Sequence, residues 1–333
     1  MRSDWDWSPQ FSKLTDDAGT LDRPEREQQI PERQMGMNSG WLSEIEANAA
    51  DGRTTEARPT MPPESLSRCR PTFQFPKTLL LPLLSCVTAM KDAGWLSGAP
   101  VRQHVVICGF PRSGTTLCQL MLESCLDNVA TSGRERRALE IARCGRRTHS
   151  VIVTKRPKDL FLIPEIQHWY SQRGTEVRFL LMHRDPRAVL TSKHFSRPDE
   201  YFLSIREWTH YFAHWKWSVG LPDVLSVSYE DLVLDPDRTE SRIRQFTGLH
   251  GGRPFRDFQR HVPEGFDLRA LNGLRSLDSA RLNSWRDEAH RDRIMELRTE
   301  LPQLQESLVM MGYESDNSWS HDYAIPAQSP VAA

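Results

Sequence analysis

The chain has 333 residues, room for one large α/β domain or two smaller ones. Its 43 Lys and Arg stand against 44 Asp and Glu, a net charge of -1. That balance argues against nucleic acid or an anionic membrane held by bulk charge, so any anion must be recognised locally. Six cysteines, at 69, 86, 108, 118, 125 and 144, form no C-x-x-C pair and no zinc-spaced cluster with histidine. They read as small buried hydrophobes of a reducing compartment.

MRSDWDWSPQ at the N-terminus has no basic region followed by an apolar core, which argues against a signal peptide. The best apolar run, LLLPLLSCVTAM at 79–90, is shorter than the ~20 residues of a membrane span and contains Pro82. A soluble, cytoplasmic protein is expected. Residues 1–70 are polar and irregular and read as a loosely structured extension. Residues 71–103 form a lead-in, with a helix from Phe73 to Gly94, followed by a compact domain over 104–315 and a flexible tail over 316–333.

Inside the compact domain, HVVICGF at 104–110 reads as a buried parallel strand entering a glycine loop. TTLCQLMLESCL continues it as a helix. A polar loop and helix follow around SGRERRALEIARC, then strands SVIVTK at 150–155 and EVRFLLMHR at 176–184. A long helix is expected from about Pro198 to Val219, a fourth strand over DVLSVSYEDL at 223–232, a helix stopped by Gly248, and a last helical part from SARLNSW onward. Strands alternating with helices predict an α/β fold with a mainly parallel central sheet flanked by helices.

Two stretches carry chemistry. GFPRSGTT at 109–116 places Gly109, Gly114 and Thr116 as a phosphate-binding P-loop does, but Thr115 stands at the lysine position and the nearest cation is Arg112. A helix N-terminus offers free N–H groups and partial positive charge to an anion, and the octapeptide alone also suits a plain glycine turn. In HRDPRAVLTSKHF at 183–195, Arg184 leaves a strand's C-terminal edge, where open α/β sheets bind ligands. Ser192 lies eight residues on, in the first turns of an expected helix. One cation and one hydroxyl suit a second phosphate, or equally a surface turn with a capping serine.

Together with VSYEDLVLDPDRTESRIRQFTGL, these stretches resemble the sulfotransferases that use 3′-phosphoadenosine 5′-phosphosulfate (PAPS) as donor. The resemblance runs from about 103 to 313, including SWRDE and the closing MGYES. It implies a P-loop-like sulfotransferase fold, with Arg112, Ser113, Gly114, Thr115 and Thr116 on the 5′-phosphosulfate. It places Arg184 and Ser192 on the 3′-phosphate and Tyr229 against the nucleotide, or else in the core. The partner it implies is a hydroxyl-bearing acceptor, a sugar, tyrosyl group or small alcohol or phenol; a homodimer stays open. Sulfuryl transfer depends on positioning and on stabilising charge between oxygens, so no metal is expected.

The small-molecule branch of that family takes its base from a histidine in a K-T-H-L-P-type segment. Here TKRPKDLFLIPE puts Pro157 at that place. The tyrosylprotein and Golgi-type branch uses a glutamate in a G-E-E-T-R-type context, which SGRERRALE matches with Glu135, with Glu140 in reserve. Lys155 matches the K-x-P lysine and is expected to stabilise charge on the bridging oxygen, and Arg112 and Lys155 together share the missing lysine's work. Ser276, Ser279, Arg281 and Arg286 are candidates to close over the nucleotide. Trp208, Tyr211, Phe212 and Trp215, at helical spacing, read as a core face rather than an acceptor platform, and His183 and His194 as structural or as supports behind the site residues. A P-loop kinase-like phosphotransferase and an inactive nucleotide-binding protein are the competing readings.

Overall fold

A computed structural model of the chain describes residues 81–95, 100–130, 132–144, 148–194, 196–271 and 273–323. The expectations for residues 1–80, including the start of the lead-in helix at Phe73, and for 324–333 lie outside the described residues.

Helix α1 (Leu81–Asp92) precedes strand β1 (Gln103–Gly109), helix α2 (Thr115–Cys125), the short strand β2 (Val129–Ala130), α3 (Ala138–Cys144) and β3 (Val151–Lys155). A 3-10 turn (Pro157–Leu162) leads into α4 (Ile163–Ser171), β4 (Glu176–His183) and the single turn α5 (Pro186–Leu190). The strands β2, β3, β1, β4 and a later strand, β7 (Val224–Ser228), lie side by side in that order with every pairing parallel. The fold is α/β, with a central parallel sheet flanked by helices.

The middle of the sheet is buried on both faces because successive residues there, Val105 to Cys108 of β1 and Phe179 to Met182 of β4, are apolar. Val105 and Ile107 of β1 enter one core with Leu180 and Met182 of β4, whereas Val106 and Cys108 enter the other with Phe179 and Leu181. This period of two dividing one apolar run is the mark of a doubly covered parallel sheet. Helix α2 packs its apolar residues on the first face, and within it only Thr116 escapes burial. The second face holds Trp208, Tyr211, Phe212 and Trp215, so the expected core face is present.

Several boundaries differ from expectation. The stretch before residue 205 is an antiparallel pair, β5 (Lys193–His194) with β6 (Arg197–Tyr201), and the helix α6 runs only from Ile205 to Ser218. Pro198 lacks the N–H that a helix interior needs, whereas Ser204 and Glu207 form a full capping box. Ser192 accordingly lies beyond α5 rather than in the first turns of a helix. The fourth strand stops at Ser228, whose hydroxyl accepts from the Asp231 N–H and opens helix α7 (Tyr229–Leu234). Helix α8 (Pro236–Thr247) ends as expected on Gly248 in the left-handed conformation.

The last part begins as 3-10 turns before α9 (Arg291–Glu300) and α10 (Leu304–Met310). Packed chain then runs to Tyr323, with Trp319 and Tyr323 buried against Trp285, so order does not stop at 315. Among the described residues, Cys108, Cys118 and Cys125 are buried free thiols, while Cys86 is free and exposed. No helix among them is long and apolar enough to cross a membrane.

Candidate active site

The strand order puts β1 between β3 and β4, so the chain leaves β1 toward one side of the sheet and later crosses to the other. Such a switch point opens a crevice at the carboxyl ends of the strands. The loop after β1, Lys155 at the end of β3 and Arg184 just past β4 are therefore neighbours.

Gly109 ends β1 with φ +127°, and a Cβ there would run into the backbone of Met182 on β4. The close approach lets the Phe110 N–H donate to the Met182 carbonyl at 3.0 Å as the loop departs. Arg112 (φ 65°) and Gly114 (φ 80°) are both left-handed, the kind of backbone turn from which anion-binding nests of N–H groups are built. Gly114 stands at the cap of α2 without a side-chain cap, and a Cβ would strike the Tyr229 ring. Ser113, expected to offer its hydroxyl to a ligand, is fully buried and donates it to the Phe110 carbonyl at 2.6 Å. Its hydroxyl closes the loop, and only its backbone N–H remains for an anion. Thr115 is buried and Thr116 half-buried in the first turn of α2.

At the end of β4, the Arg184 guanidinium lies 4.5 Å from the Tyr229 ring centroid and donates to the Arg112 carbonyl at 3.4 Å. Arg112 itself reaches out of its loop, donating from Nε to Ser192 Oγ at 2.9 Å with its cation 5.6 Å from the Phe202 ring. Arg112, Arg184 and Ser192 thus form one cluster, bridging the two stretches that the sequence separates by some seventy residues. Burial, and then the neighbouring Arg184 charge, lower the Arg112 pKa. Two guanidiniums held together in partial burial disfavour one another's charge unless an anion lies between them.

A buried carboxylate under this cluster fixes the β4 end. Glu230 accepts from the Asp185 N–H at 3.1 Å, the Ser228 hydroxyl at 3.1 Å and the Tyr313 hydroxyl at 2.8 Å. With that proton given to Glu230, the Tyr313 oxygen accepts from Nδ1 of His183 at 3.0 Å. Burial pushes the His183 pKa down to about 3, so the ring is neutral and serves structure, as expected. Arg187 beside it pairs with Asp185 and Glu314 and lies 3.8 Å from the Trp285 ring centroid. The MGYES ending therefore holds the β4 turn from behind.

On the other side of the loop, Lys155 follows Val151 and Val153 on the α2 face of β3 and is almost fully buried. Its ammonium donates to Glu135 Oε2 at 3.3 Å, and Arg156 Nε stands 4.0 Å from Oε1. Glu135 is itself half exposed, at 53% of its side chain, so the pair sits at an opening with the cation inside and the carboxylate outside. Glu140, the reserve choice, is exposed on α3. Asp159 was not singled out by sequence: it is buried, accepts from the Ala138 N–H at 2.8 Å at the start of α3, and lies 3.5 Å from Arg156. An acid in the first turn of the Pro157 helix was its only sequence signal.

A cavity of about 590 Å³ adjoins the loop, walled by Leu117, Tyr229, Phe258, Ser276, Ser279 and Arg281. Tyr229, Ser276, Ser279 and Arg281 are thus brought together, whereas Arg286 lies over the Trp285 ring at 4.5 Å instead. Among the described residues, no group of three or more His, Cys, Asp or Glu side chains is placed to hold a metal ion.

Residues 130–251 match the profile of the Sulfotransferase family. Two solved structures are similar: the sulfotransferase domain of the Synechococcus PCC 7002 olefin synthase and a sulfotransferase domain from the curacin biosynthetic pathway. The first is 17% identical and covers 56% of this chain and 88% of its own, with a TM-score of 0.43. The second is 14% identical and covers 60% of this chain and 98% of its own, with a TM-score of 0.41. No curated protein matches the sequence. The profile match begins beyond the phosphate loop but contains Glu135, Lys155, Arg184, Ser192 and Tyr229, and over that segment the chain is similar to the Sulfotransferase family.

Proposed function

We propose that the chain is an enzyme transferring the sulfuryl group of PAPS to an acceptor hydroxyl. The observation that carries this reading is the cluster in which Arg112 of the phosphate loop reaches Ser192 with its side chain while its carbonyl accepts from Arg184. A donor with phosphate groups at both the 5′ and 3′ positions needs two grips; ATP and GTP need one. The residues fit such a donor: loop N–H groups of 112–116 for the 5′-phosphosulfate, Arg184 and the Ser192 hydroxyl for the 3′-phosphate, and the Tyr229 cavity for the nucleoside; Arg112, expected on the 5′-phosphosulfate, is assigned by its bond to Ser192 to the 3′-phosphate instead. Each guanidinium contributes a planar fork matched to phosphate oxygens. The Arg112 charge, which burial and the neighbouring Arg184 disfavour in the free site, is offset by that phosphate.

Glu135 acts as general base. It takes the acceptor's O–H proton as the new O–S bond forms and the bond from sulfur to the 5′-phosphate oxygen breaks, releasing 3′-phosphoadenosine 5′-phosphate (PAP). Lys155, 3.3 Å from Glu135, stabilises the negative charge growing on the bridging oxygen. Glu135 is half exposed, so an acceptor can reach it from solvent, in keeping with sugars, tyrosyl groups or small alcohols and phenols.

The test is turnover of radiolabelled PAPS against a panel of these hydroxyl classes. Wild type is expected to label at least one, and Glu135→Gln to lose roughly 10²- to 10⁴-fold in kcat with PAPS affinity unchanged. Binding of ATP as tight as that of PAPS favours a phosphotransferase. PAPS binding without turnover on any acceptor favours a nucleotide-binding protein.

A further inference from the structure

The phosphate loop and the proposed base come from different parts of the chain, and one helix joins them. Gln119 and Glu123 lie one turn apart on α2, both buried in a helix otherwise almost wholly apolar. Placing a carboxylate there is costly without full hydrogen bonding, and burial raises the Glu123 pKa. What compensates is the backbone of the Glu135 loop. Glu123 Oε2 accepts from the Gly133 N–H at 3.2 Å, and Oε1 from the Ser132 N–H and Ser132 hydroxyl, both at 3.3 Å. Gln119 Nε2 donates to Glu123 Oε1 at 2.8 Å, to Ser132 Oγ at 3.1 Å and to the Arg134 carbonyl at 3.4 Å.

Three residues in a row before Glu135 are thus tied to α2. Gly133 is left-handed at φ 63°, and its carbonyl accepts from the Asp267 N–H at 2.7 Å, pinning the loop from its outer side as well. Beyond Glu135, the Arg136 N–H donates to the Lys155 carbonyl at 3.1 Å.

We propose that Glu123, seated by Gln119, is a positioning residue that sets the distance between the base carboxylate and the donor. The inference rests on the reading of Glu135 as base. Helix α2 works as a ruler: its first turn faces the phosphosulfate, and its second and third turns hold the loop that carries Glu135. Because one rigid element carries both ends, the base keeps its place relative to the sulfur without touching it. A shift of about 1 Å in such a group costs on the order of 10²-fold in rate.

The test compares the full-length chain with Glu123→Gln and Glu123→Asp. Gln places an amide where N–H groups already converge, and Asp keeps the charge on a shorter arm. Two readouts are taken: hydrogen exchange of the peptide spanning 132–137, and kcat with PAPS KM. In Glu123→Gln, exchange over 132–137 is expected to rise and kcat to fall about 10- to 100-fold with PAPS KM unchanged. Glu123→Asp should recover part of both. Unchanged exchange, or raised exchange with unchanged kcat while Glu135→Gln is slow, overturns the positioning role. If Glu135→Gln itself turns over at the wild-type rate, the base assignment has failed instead. The exchange result then still reports whether Glu123 holds the loop, and the catalytic claim for Glu123 falls with the base.

Discussion

Gly109 shows how a single residue decides whether the site exists. Its positive φ could be borne elsewhere at modest cost, but here the missing Cβ is also what lets β1 and β4 close up as the phosphate loop departs. Gly174 is a fair control, since it too is left-handed at φ 68° but has open space around it. Gly174→Ala is expected to cost roughly 1–2 kcal/mol, the ordinary left-handed penalty. Gly109→Ala should cost more than about 3 kcal/mol, because backbone must move as well. Urea unfolding midpoints of the two variants check this; equal losses would mean that the β1–β4 approach yields easily. Glycine at 109 was legible in the sequence because the P-loop pattern requires it. That Ser113 is consumed inside the loop was not legible, since a hydroxyl in such a loop reads the same whether it turns inward or outward.

At the scale of elements, the turn from β3 into the Pro157 helix sets the start of α3. Asp159 accepts from the Ala138 N–H and stands beside Arg156, which in turn flanks Glu135. Burial raises its pKa to about 6, against the partial relief of the Ala138 bond and Arg156. Between about pH 4 and 6 the folded carboxyl holds a proton that the unfolded chain has lost, so this group lowers stability as pH rises through that window. The full effect is at most about 3 kcal/mol, present above pH 6 and absent below pH 4. Asp159→Asn keeps an acceptor for Ala138 and removes the titration. The stability difference between variant and wild type should therefore grow in the variant's favour from pH 4 to 6 and stay flat above; a difference independent of pH would show that Asp159 is ionised throughout. Elements of this kind mark the limit of sequence reading. Apolar strands, the helix after the glycine loop and the Gly248 stop are local signals and were legible. The β5–β6 pair and the strand-to-helix change at Ser228 were not, because Ser204 and Ser228 act as caps only once their neighbours have folded. The partnership of Arg112 with Ser192 depends on the strand order itself.

For the molecule as a whole, a net charge of -1 hides a site in which Arg112, Arg184 and Lys155 converge on one edge of the sheet. A ligand that binds this edge only in the folded state stabilises the chain by about 2.7 kcal/mol at a hundred times its Kd. For a domain of this size that is a rise of roughly 5–10 °C in Tm. PAP is expected to give such a rise, equally with and without a chelator, while adenosine 5′-phosphate gives less at the same concentration. The difference between the two nucleotides isolates the 3′-phosphate, because in the proposed site the loop N–H groups and the Tyr229 cavity would serve both alike. Removing one charged hydrogen-bonding partner costs about 1.5–3 kcal/mol. Arg184→Ala should therefore weaken PAP by roughly 10- to 100-fold and leave adenosine 5′-phosphate nearly unchanged, so that the two protect alike. Equal weakening of both would move Arg184 to the 5′ side, and the Arg112–Ser192 pair would then have to hold the second phosphate alone.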